Sequence, residues 1–244
     1  MAARGVLAIV VTVCGSAPAG CSGEKEPVAV TSPYHEPVTF AVAPVLNFSG
    51  EFTLGPVKAA DLLASELTDI EGISVMPVSR VVAYLATQGR TQIESPAHAV
   101  AVARAVGADA IIVAGVTEYD PYTPVAGLVL QIYRVSSAAS PSVDPVLVSR
   151  DPRPMALTET ADGLAPTSQV QMVYNANHEW VAQAVERYAK HRDEEPSPFG
   201  WRQYLKVQTL FLRFCWHDAI ERLMREERGR VSLLAGGQDS EPTP

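Results

Sequence analysis

The stretch ADAIIVAGVTEY, residues 108–119, is apolar over most of its length and rich in β-branched side chains. Such a run is typical of a strand that is buried in the centre of a sheet. A second apolar stretch, AGLVLQIYRV at residues 126–135, has Gln131 and Arg134 as its polar members. Because only residues 120–124 separate the two stretches, we expect them to form an antiparallel hairpin.

The residues before this hairpin alternate between strand and helix patterns. VTFAVAPVL at 38–46 and GISVMPV at 72–78 are short apolar runs that predict strands. Helices are expected at 56–70, at 80–89 with Ser79 as a cap, and at 95–107, where Ser95 caps the start and Gly107 ends the helix.

The first of these helices has a clear amphipathic pattern. Its apolar residues recur at steps of three and four, and Asp61 and Glu66 fall on the side predicted to face solvent. The predicted element order is β-α-β-α-α-β-β, which defines a mixed α/β (α+β) fold with a mixed sheet in a three-layer-like arrangement.

Residues 137–167 carry several prolines among serine, alanine and threonine, which excludes a long helix. We expect an irregular excursion over the surface there, with a brief edge strand at 146–149. Two helices then form a C-terminal helical hairpin over 168–228, the first at 168–192, and a flexible tail follows at 229–244.

The first twenty residues are typical of an export signal, because a positively charged start is followed by nine apolar residues and then by small ones. Residues 18–21, Pro-Ala-Gly-Cys, resemble a bacterial lipobox, with Pro18 where that motif usually has leucine. The resemblance implies that residues 1–20 are removed and that Cys21 becomes lipidated, which anchors the chain to a membrane.

Residues 21–36 mix proline, serine and charge without periodicity, so they are expected to form a lipidated tether. An ordinary signal peptide, cut near Ala17 or Ala19, is the alternative; Cys21 would then be a plain thiol. In either case Cys215 is the one cysteine left in the folded part, so an intramolecular disulfide is not expected there.

Composition excludes several classes of function. The chain has 19 Lys and Arg against 27 Asp and Glu, a net charge of -8, so no nucleic-acid partner is expected. The sequence has no zinc-ligand spacing, no G-x-S-x-G elbow and no glycine-rich phosphate loop. We therefore expect no catalytic residue, no metal, no cofactor and no small-molecule substrate.

Aromatic and amide side chains near the predicted turns and in the terminal helices could instead bind another protein. The candidate partner-binding residues are Asn47, Phe48, Tyr119, Tyr122, Trp201 and Trp216. Glu118 and Asp120, two positions apart at the hairpin, leave open an alternative with carboxylate chemistry.

Three segments are similar to one family of proteins: FAVAPVLNFSG at 40–50, ISVMPVSRVVAYLATQG at 73–89, and ARAVGADAIIVAGVTEYD at 103–120. They resemble the N-terminal α/β domain of bacterial envelope lipoproteins related to the curli-assembly protein CsgG. LpoB and the N-terminal domain of TolB share that design. The resemblance covers residues 37–136.

The resemblance implies a protein without catalytic activity that assembles or docks on partners. We expect an exported lipoprotein that faces the periplasm, with the outer membrane as its location, and that binds an envelope protein in assembly or secretion. Channel activity is not expected, because the proline-rich residues 136–167 do not suit membrane-spanning hairpins. A hydrolase of an envelope polymer or lipid and a structural subunit that self-associates through its terminal helices are the alternatives.

Overall fold

The computed structural model describes residues 30–120, 122–135, 165–192 and 198–238. Within these ranges the chain forms one six-stranded mixed sheet with helices packed on both faces. The prediction of a mixed α/β fold is confirmed.

Several sequence predictions fall outside the described residues. They are the signal at 1–20, Cys21 with the first part of the tether, and the edge strand at 146–149 together with most of the proline-rich excursion. These remain predictions.

Six strands and five α-helices make up the described fold. The strands are β1 (Val38–Val42), β2 (Leu46–Asn47), β3 (Ile73–Val75), β4 (Ala110–Asp120), β5 (Val125–Arg134) and β6 (Ser168–Asn175). The helices are α1 (Pro56–Thr68), α2 (Val78–Thr87), α3 (Pro96–Val106), α4 (Glu179–Arg192) and α5 (Gln208–Gln238), and a 3₁₀ helix spans Gly200–Leu205.

The strands lie in the order β3-β1-β4-β5-β6, and β2 pairs with β4 beyond the end of β1. β1 is parallel to both β3 and β4, with Phe40 opposite Ala110. β4, β5 and β6 are antiparallel neighbours, with Ile111 opposite Tyr133. The hairpin predicted from the two apolar stretches is therefore confirmed.

β4 is apolar throughout its first half because both of its faces are covered. Ile112 and Ala114 lie in a core that contains residues of α1, α4 and α5. Ile111 and Val113 face a smaller core formed with α2 and α3. A continuous apolar run is the pattern that burial on two faces requires.

The helix caps agree with the sequence at one helix and disagree at another. Ser95 Oγ accepts a hydrogen bond from His98 N at 3.1 Å at the start of α3, and Gly107 has a φ of 80° at its end. The cap predicted at Ser79 is wrong. α2 begins at Val78, and Pro77 is its N-cap without a side-chain hydrogen bond.

The helix predicted from Ser168 is wrong over its first eight residues, which form β6. Exposure alternates along SQVQMVYN, and the strand pairs with β5 along its whole length. Val173 is 51% exposed. The helix of this region, α4, begins only at Glu179.

The second half of the predicted helical hairpin also differs in detail. Residues 200–205 form a 3₁₀ helix, and α5 begins at Gln208. The flexible tail predicted from Gly229 is wrong up to Gln238, because α5 continues that far. An ion pair between Glu227 and Arg230, one helical turn apart, supports this extension.

The last residues of the predicted tether belong to the folded domain. Thr31 forms a β-bridge with Glu71, and Ser32 N donates to Glu71 O at 2.9 Å. The Tyr34 ring packs 6.2 Å from that of Phe40. Residues 30–36 are therefore held against the sheet, and the prediction that the tether extends to residue 36 is wrong.

Candidate functional site

Two loops meet at one end of the sheet. The first, residues 48–55, leaves β2 next to β4, because Phe48 N donates to Val116 O at 2.8 Å. The second is the turn between β4 and β5, of which residues 120 and 122–125 are described. β2 is parallel to β4, with Asn47 opposite Val116, so both loops leave the sheet at the same end. We call these two loops together the hairpin-end surface.

Asn47 holds the first loop in shape. Its Nδ2 donates to Glu51 O at 2.8 Å, and its Oδ1 accepts hydrogen bonds from Ser49 N at 3.1 Å and Ser49 Oγ at 2.7 Å. This is an Asx-type turn, in which the side chain replaces a backbone partner. Asn47 therefore positions Phe48 for exposure and uses its own polar groups inside the loop.

Three aromatic side chains of the hairpin-end surface are strongly exposed. Phe48 is 67% exposed, Phe52 98% and Tyr122 95%. The exposure of Phe48 and Tyr122 is what a partner-binding role requires. Sequence reasoning missed Phe52, although an aromatic residue in a loop without apolar periodicity is a signal that could have identified it.

The Phe48 ring rests on the sheet at Gly115. A Cβ atom at Gly115 would lie 3.1 Å from Phe48 Cε2, so the absence of a side chain there lets the ring approach β4. The sheet therefore supports one side of the ring and leaves the other side open to solvent.

Tyr119 is only partly exposed and packs against the main core. Burial raises the pKa of its hydroxyl to about 12, and the negative charge of Glu51 adds to the effect. At neutral pH the hydroxyl is therefore protonated and can donate a hydrogen bond. Tyr119 contributes a polar atom at the base of the hairpin-end surface.

The two carboxylates at the hairpin have different surroundings. Asp120 Oδ1 accepts hydrogen bonds from Tyr122 N at 2.8 Å and from Thr123 N at 3.2 Å, which shapes the turn. Glu118 lies on the exposed part of β4 opposite Gly127. No observation in the described part of the chain places both groups in an enclosed cleft, as acid-base catalysis would require.

A pocket of about 520 Å³ opens beside the second loop. It lies between the β4–β5 turn, the β6–α4 turn and the 3₁₀ helix. Its described lining includes two cationic side chains and no carboxylate; the residues are Tyr122, Thr123, Pro124, Ala176, Asn177, Arg202, Leu205 and Lys206. We call it the basic pocket, and it suits an anionic group in a chain that is acidic overall.

The two candidate tryptophans have different environments. Trp216 is 0% exposed in the core beneath α5, so its proposed contact with a partner is wrong: the helix turns the indole toward the sheet. Trp201 is partly exposed, and the Arg202 guanidinium lies 4.8 Å from its ring centroid. Trp201 therefore supports an arginine of the basic pocket.

The other clusters in the fold are structural. No group of three or more potential metal ligands occurs within the described ranges. Cys215 is buried, and its burial raises the pKa of the thiol well above its ordinary value, as expected for an apolar core residue. None of the described helices has the length and apolarity needed to cross a bilayer.

No protein family matches the sequence, and no curated protein is similar to it in sequence. Among solved structures, the C-terminal domain of LpoB from Salmonella enterica aligns with a TM-score of 0.36 and 18% identity, over 45% of this chain and 78% of that chain. Lipoprotein GNA1162 from Neisseria meningitidis aligns with a TM-score of 0.42 and 15% identity, over 66% and 100%. The hypothetical protein CT253 from Chlamydia trachomatis gives 0.35 and 10%, over 82% and 99%.

Structural neighbours thus include the LpoB domain and a lipoprotein, while the similarity to CsgG and TolB stays a prediction. All three TM-scores are below 0.5, so the function of this chain has to be inferred from its own residues.

Proposed function

We propose that this chain is a non-enzymatic envelope lipoprotein that docks a partner protein through the hairpin-end surface and the basic pocket. An acyl group at Cys21 anchors it to a membrane, with the outer membrane expected, and the folded domain faces the periplasm. One observation carries the docking proposal: Phe48, Phe52 and Tyr122 are all largely exposed at the same end of the sheet.

Exposed aromatic side chains are favourable anchors for binding, because the complete burial of one such side chain lowers the free energy by about 1.5–3 kcal/mol. They are also enriched among residues that contribute most to protein–protein affinity. Turn residues such as Asn47 and Asp120 hold the loops in shape before binding. Less conformational entropy is then lost on association.

The basic pocket indicates the chemistry of the partner. Arg202 and Lys206 lie next to Tyr122, so the complementary segment carries an acidic group close to an apolar side chain. We expect the partner to be an envelope protein that acts in assembly or secretion and carries such a segment.

Photo-crosslinking in the native envelope tests the docking surface. A photoreactive residue at Phe52 should capture a discrete partner, and Tyr122→Ala in the same chain should reduce the product about tenfold. Leu233→Ala is the matched control, because Leu233 is also exposed but lies on α5 far along the chain. Two results together would refute the proposal. They are capture that does not change with Tyr122→Ala, and equal capture by a photoreactive residue at Ser74 on β3.

Cys21→Ser tests the anchor separately. This variant should move to the soluble fraction and take up no labelled fatty acid, whereas Ser22→Ala should stay at the membrane and be labelled. Membrane retention and unchanged labelling of Cys21→Ser would show that Cys21 is not the lipidated residue.

A further inference from the structure

β6 forms one edge of the sheet. All eight of its residues pair with β5, from Ile132 opposite Ser168 to Val125 opposite Asn175. On its other side, no described strand pairs with it. Every second residue therefore directs its backbone N–H and C=O groups away from β5, where no described strand pairs with them and another strand could bind them.

Natural edge strands are shielded by charged residues, by proline, by a bulge, by being short or by a covering helix or loop. The strand β6 itself lacks the first four of these features. The sequence of β6, SQVQMVYN, has no charge and no proline over eight residues. The irregularity in the sheet lies instead in the β4–β5 ladder, between Val116 and Glu118.

Side chains next to this edge are open as well. Gln169 and Gln171 are exposed, and Val173 is 51% exposed on the same side of the strand. Gln131 Nε2 on β5 already donates to Gln169 Oε1 at 2.7 Å, which starts a row of amides across the sheet. Another strand could extend that row.

We propose that β6 pairs antiparallel with β6 of a second copy of this chain, joining two six-stranded sheets into one. A second copy with the same net charge of -8 is repelled overall, so two copies have to meet where no like charges face each other, and β6 is a long edge without charge. Its chemistry is also self-complementary, because a glutamine amide both donates and accepts hydrogen bonds.

The geometry of such a pair follows from its two-fold symmetry. With the axis near Gln171, Gln171 lies opposite its own copy and Gln169 lies opposite Val173. The strands run in opposite directions, so the two hairpin-end surfaces point to opposite ends of the joined sheet. Dimerisation therefore leaves the proposed docking site free and is independent of it.

Cysteine crosslinking of the full chain in its native membrane tests this pairing. Gln171→Cys should form a disulfide-linked dimer on oxidation, because directly opposed residues of paired strands have Cα atoms within disulfide range. Gln183→Cys, on the exposed side of α4, is the matched control and should form no disulfide-linked dimer. The same is expected of the wild-type chain, because Cys215 is buried and Cys21 is acylated in the proposed function.

A charge variant provides a second test without a covalent bond. The detergent-extracted full chain should sediment as a dimer, and Gln171→Lys should weaken the dimer more than tenfold because it opposes two like charges. Gln183→Lys adds the same charge and should remain dimeric. Both variants should still unfold in one cooperative transition, which separates lost pairing from lost folding, although loss of the dimer lowers the melting temperature by mass action.

Two results would overturn the proposal. One is a wild-type chain that stays monomeric at about 100 µM together with no Gln171→Cys dimer. The other is a Gln171→Cys adduct with a different protein, which would assign the edge to a foreign strand. Tyr122→Ala should lose partner capture and keep the dimer, so failure of the docking proposal is distinguishable from failure of this one.

Discussion

Glu66 connects three helices through one buried carboxylate. Its side chain, on α1, is 0% exposed, and it accepts hydrogen bonds from Arg192 of α4 at 2.5 Å and from Arg213 of α5 at 3.0 Å. The Tyr188 hydroxyl donates to it at 3.1 Å. Burial alone would raise the pKa of Glu66, but the interactions with His217 and Arg192 outweigh it and hold the pKa below its ordinary value.

Replacement of Glu66 by glutamine tests the importance of this charge. Glu66→Gln keeps the shape but leaves the two arginines without their shared anion, so we expect the free energy of unfolding to fall by about 3–5 kcal/mol. Urea unfolding measures it. Asp61→Asn, on the exposed side of the same helix, should change stability by less than about 0.5 kcal/mol. Equal effects of the two variants would contradict this account.

The position of Glu66 also marks a limit of sequence analysis. Periodicity places Glu66 on the solvated side of α1, and that prediction is wrong. The partners that make its burial possible lie 126 and 147 residues further along the chain. No pattern within one helix contains that information.

The β4–β5 hairpin is the element that the sequence predicts best, because its strands are long, apolar and adjacent in the chain. Its packing depends on Gly127. A Cβ atom there would lie 2.6 Å from Thr117 Oγ1 and 3.1 Å from Glu118 N, at the irregular position of the ladder. The close approach of the two strands at this point requires a residue without a side chain.

Gly127→Ala should therefore destabilise the protein by about 1–3 kcal/mol, because the backbone has to move to admit a methyl group. Gly229→Ala is the control, since nothing lies within 4 Å of a Cβ atom at this helical position. We expect it to stabilise the protein by about 0.5–1 kcal/mol. Thermal melts measure both, and the same sign for the two changes would refute the steric argument.

β6 shows why another element was not predicted. Its eight residues fit a helical stripe with the residues that follow, and only the partner strand β5 decides in favour of a strand.

The candidate site was predicted only in part, for a related reason. Phe48 and Tyr122 lie in turns, where exposure follows from local sequence, whereas the burial of Trp216 depends on the distant sheet that α5 covers.

Hydrogen bonds from Arg228 to Thr31 and from Tyr34 to Glu227 join residues 30–36 to the last helix, and a conservative change can remove the second of these. Tyr34 Oη donates to Glu227 Oε1 at 2.7 Å, and Glu227 is buried. Tyr34→Phe should lower the free energy of unfolding by about 1.5–3 kcal/mol, the range for hydrogen bonds to charged groups. Tyr122→Phe, at an exposed ring, should have no measurable effect on stability. Chemical denaturation compares them, and an unchanged midpoint for Tyr34→Phe would show that this contact does not hold the segment.

Two buried carboxylates stabilise the molecule from opposite ends of its main core. Glu66 joins α1 to α4 and α5, and Glu227 accepts hydrogen bonds from Tyr34, from Ser168 of β6 at 2.6 Å and from Arg230. Burial alone would raise the pKa of Glu227. Hydrogen bonds from Arg230 and Ser168 outweigh this effect and hold the pKa below its ordinary value. Both carboxyls are therefore ionised in the folded protein at neutral pH.

The pH dependence of stability follows from these shifts. A carboxyl whose pKa is lower in the folded state stabilises the fold fully above its ordinary pKa of 4.5, and that stabilisation is lost as the pH falls through the folded value. Tyrosines such as Tyr119 have the opposite shift, so their contribution is complete below their ordinary pKa of 10.0 and is lost as the pH rises toward about 12. Urea midpoints measured from pH 2 to pH 11 should therefore form a plateau with losses on both sides. Glu66→Gln should flatten the acid side and Asp61→Asn should not, whereas an acid side that is equally steep in both variants would exclude Glu66 as a source of the acid sensitivity.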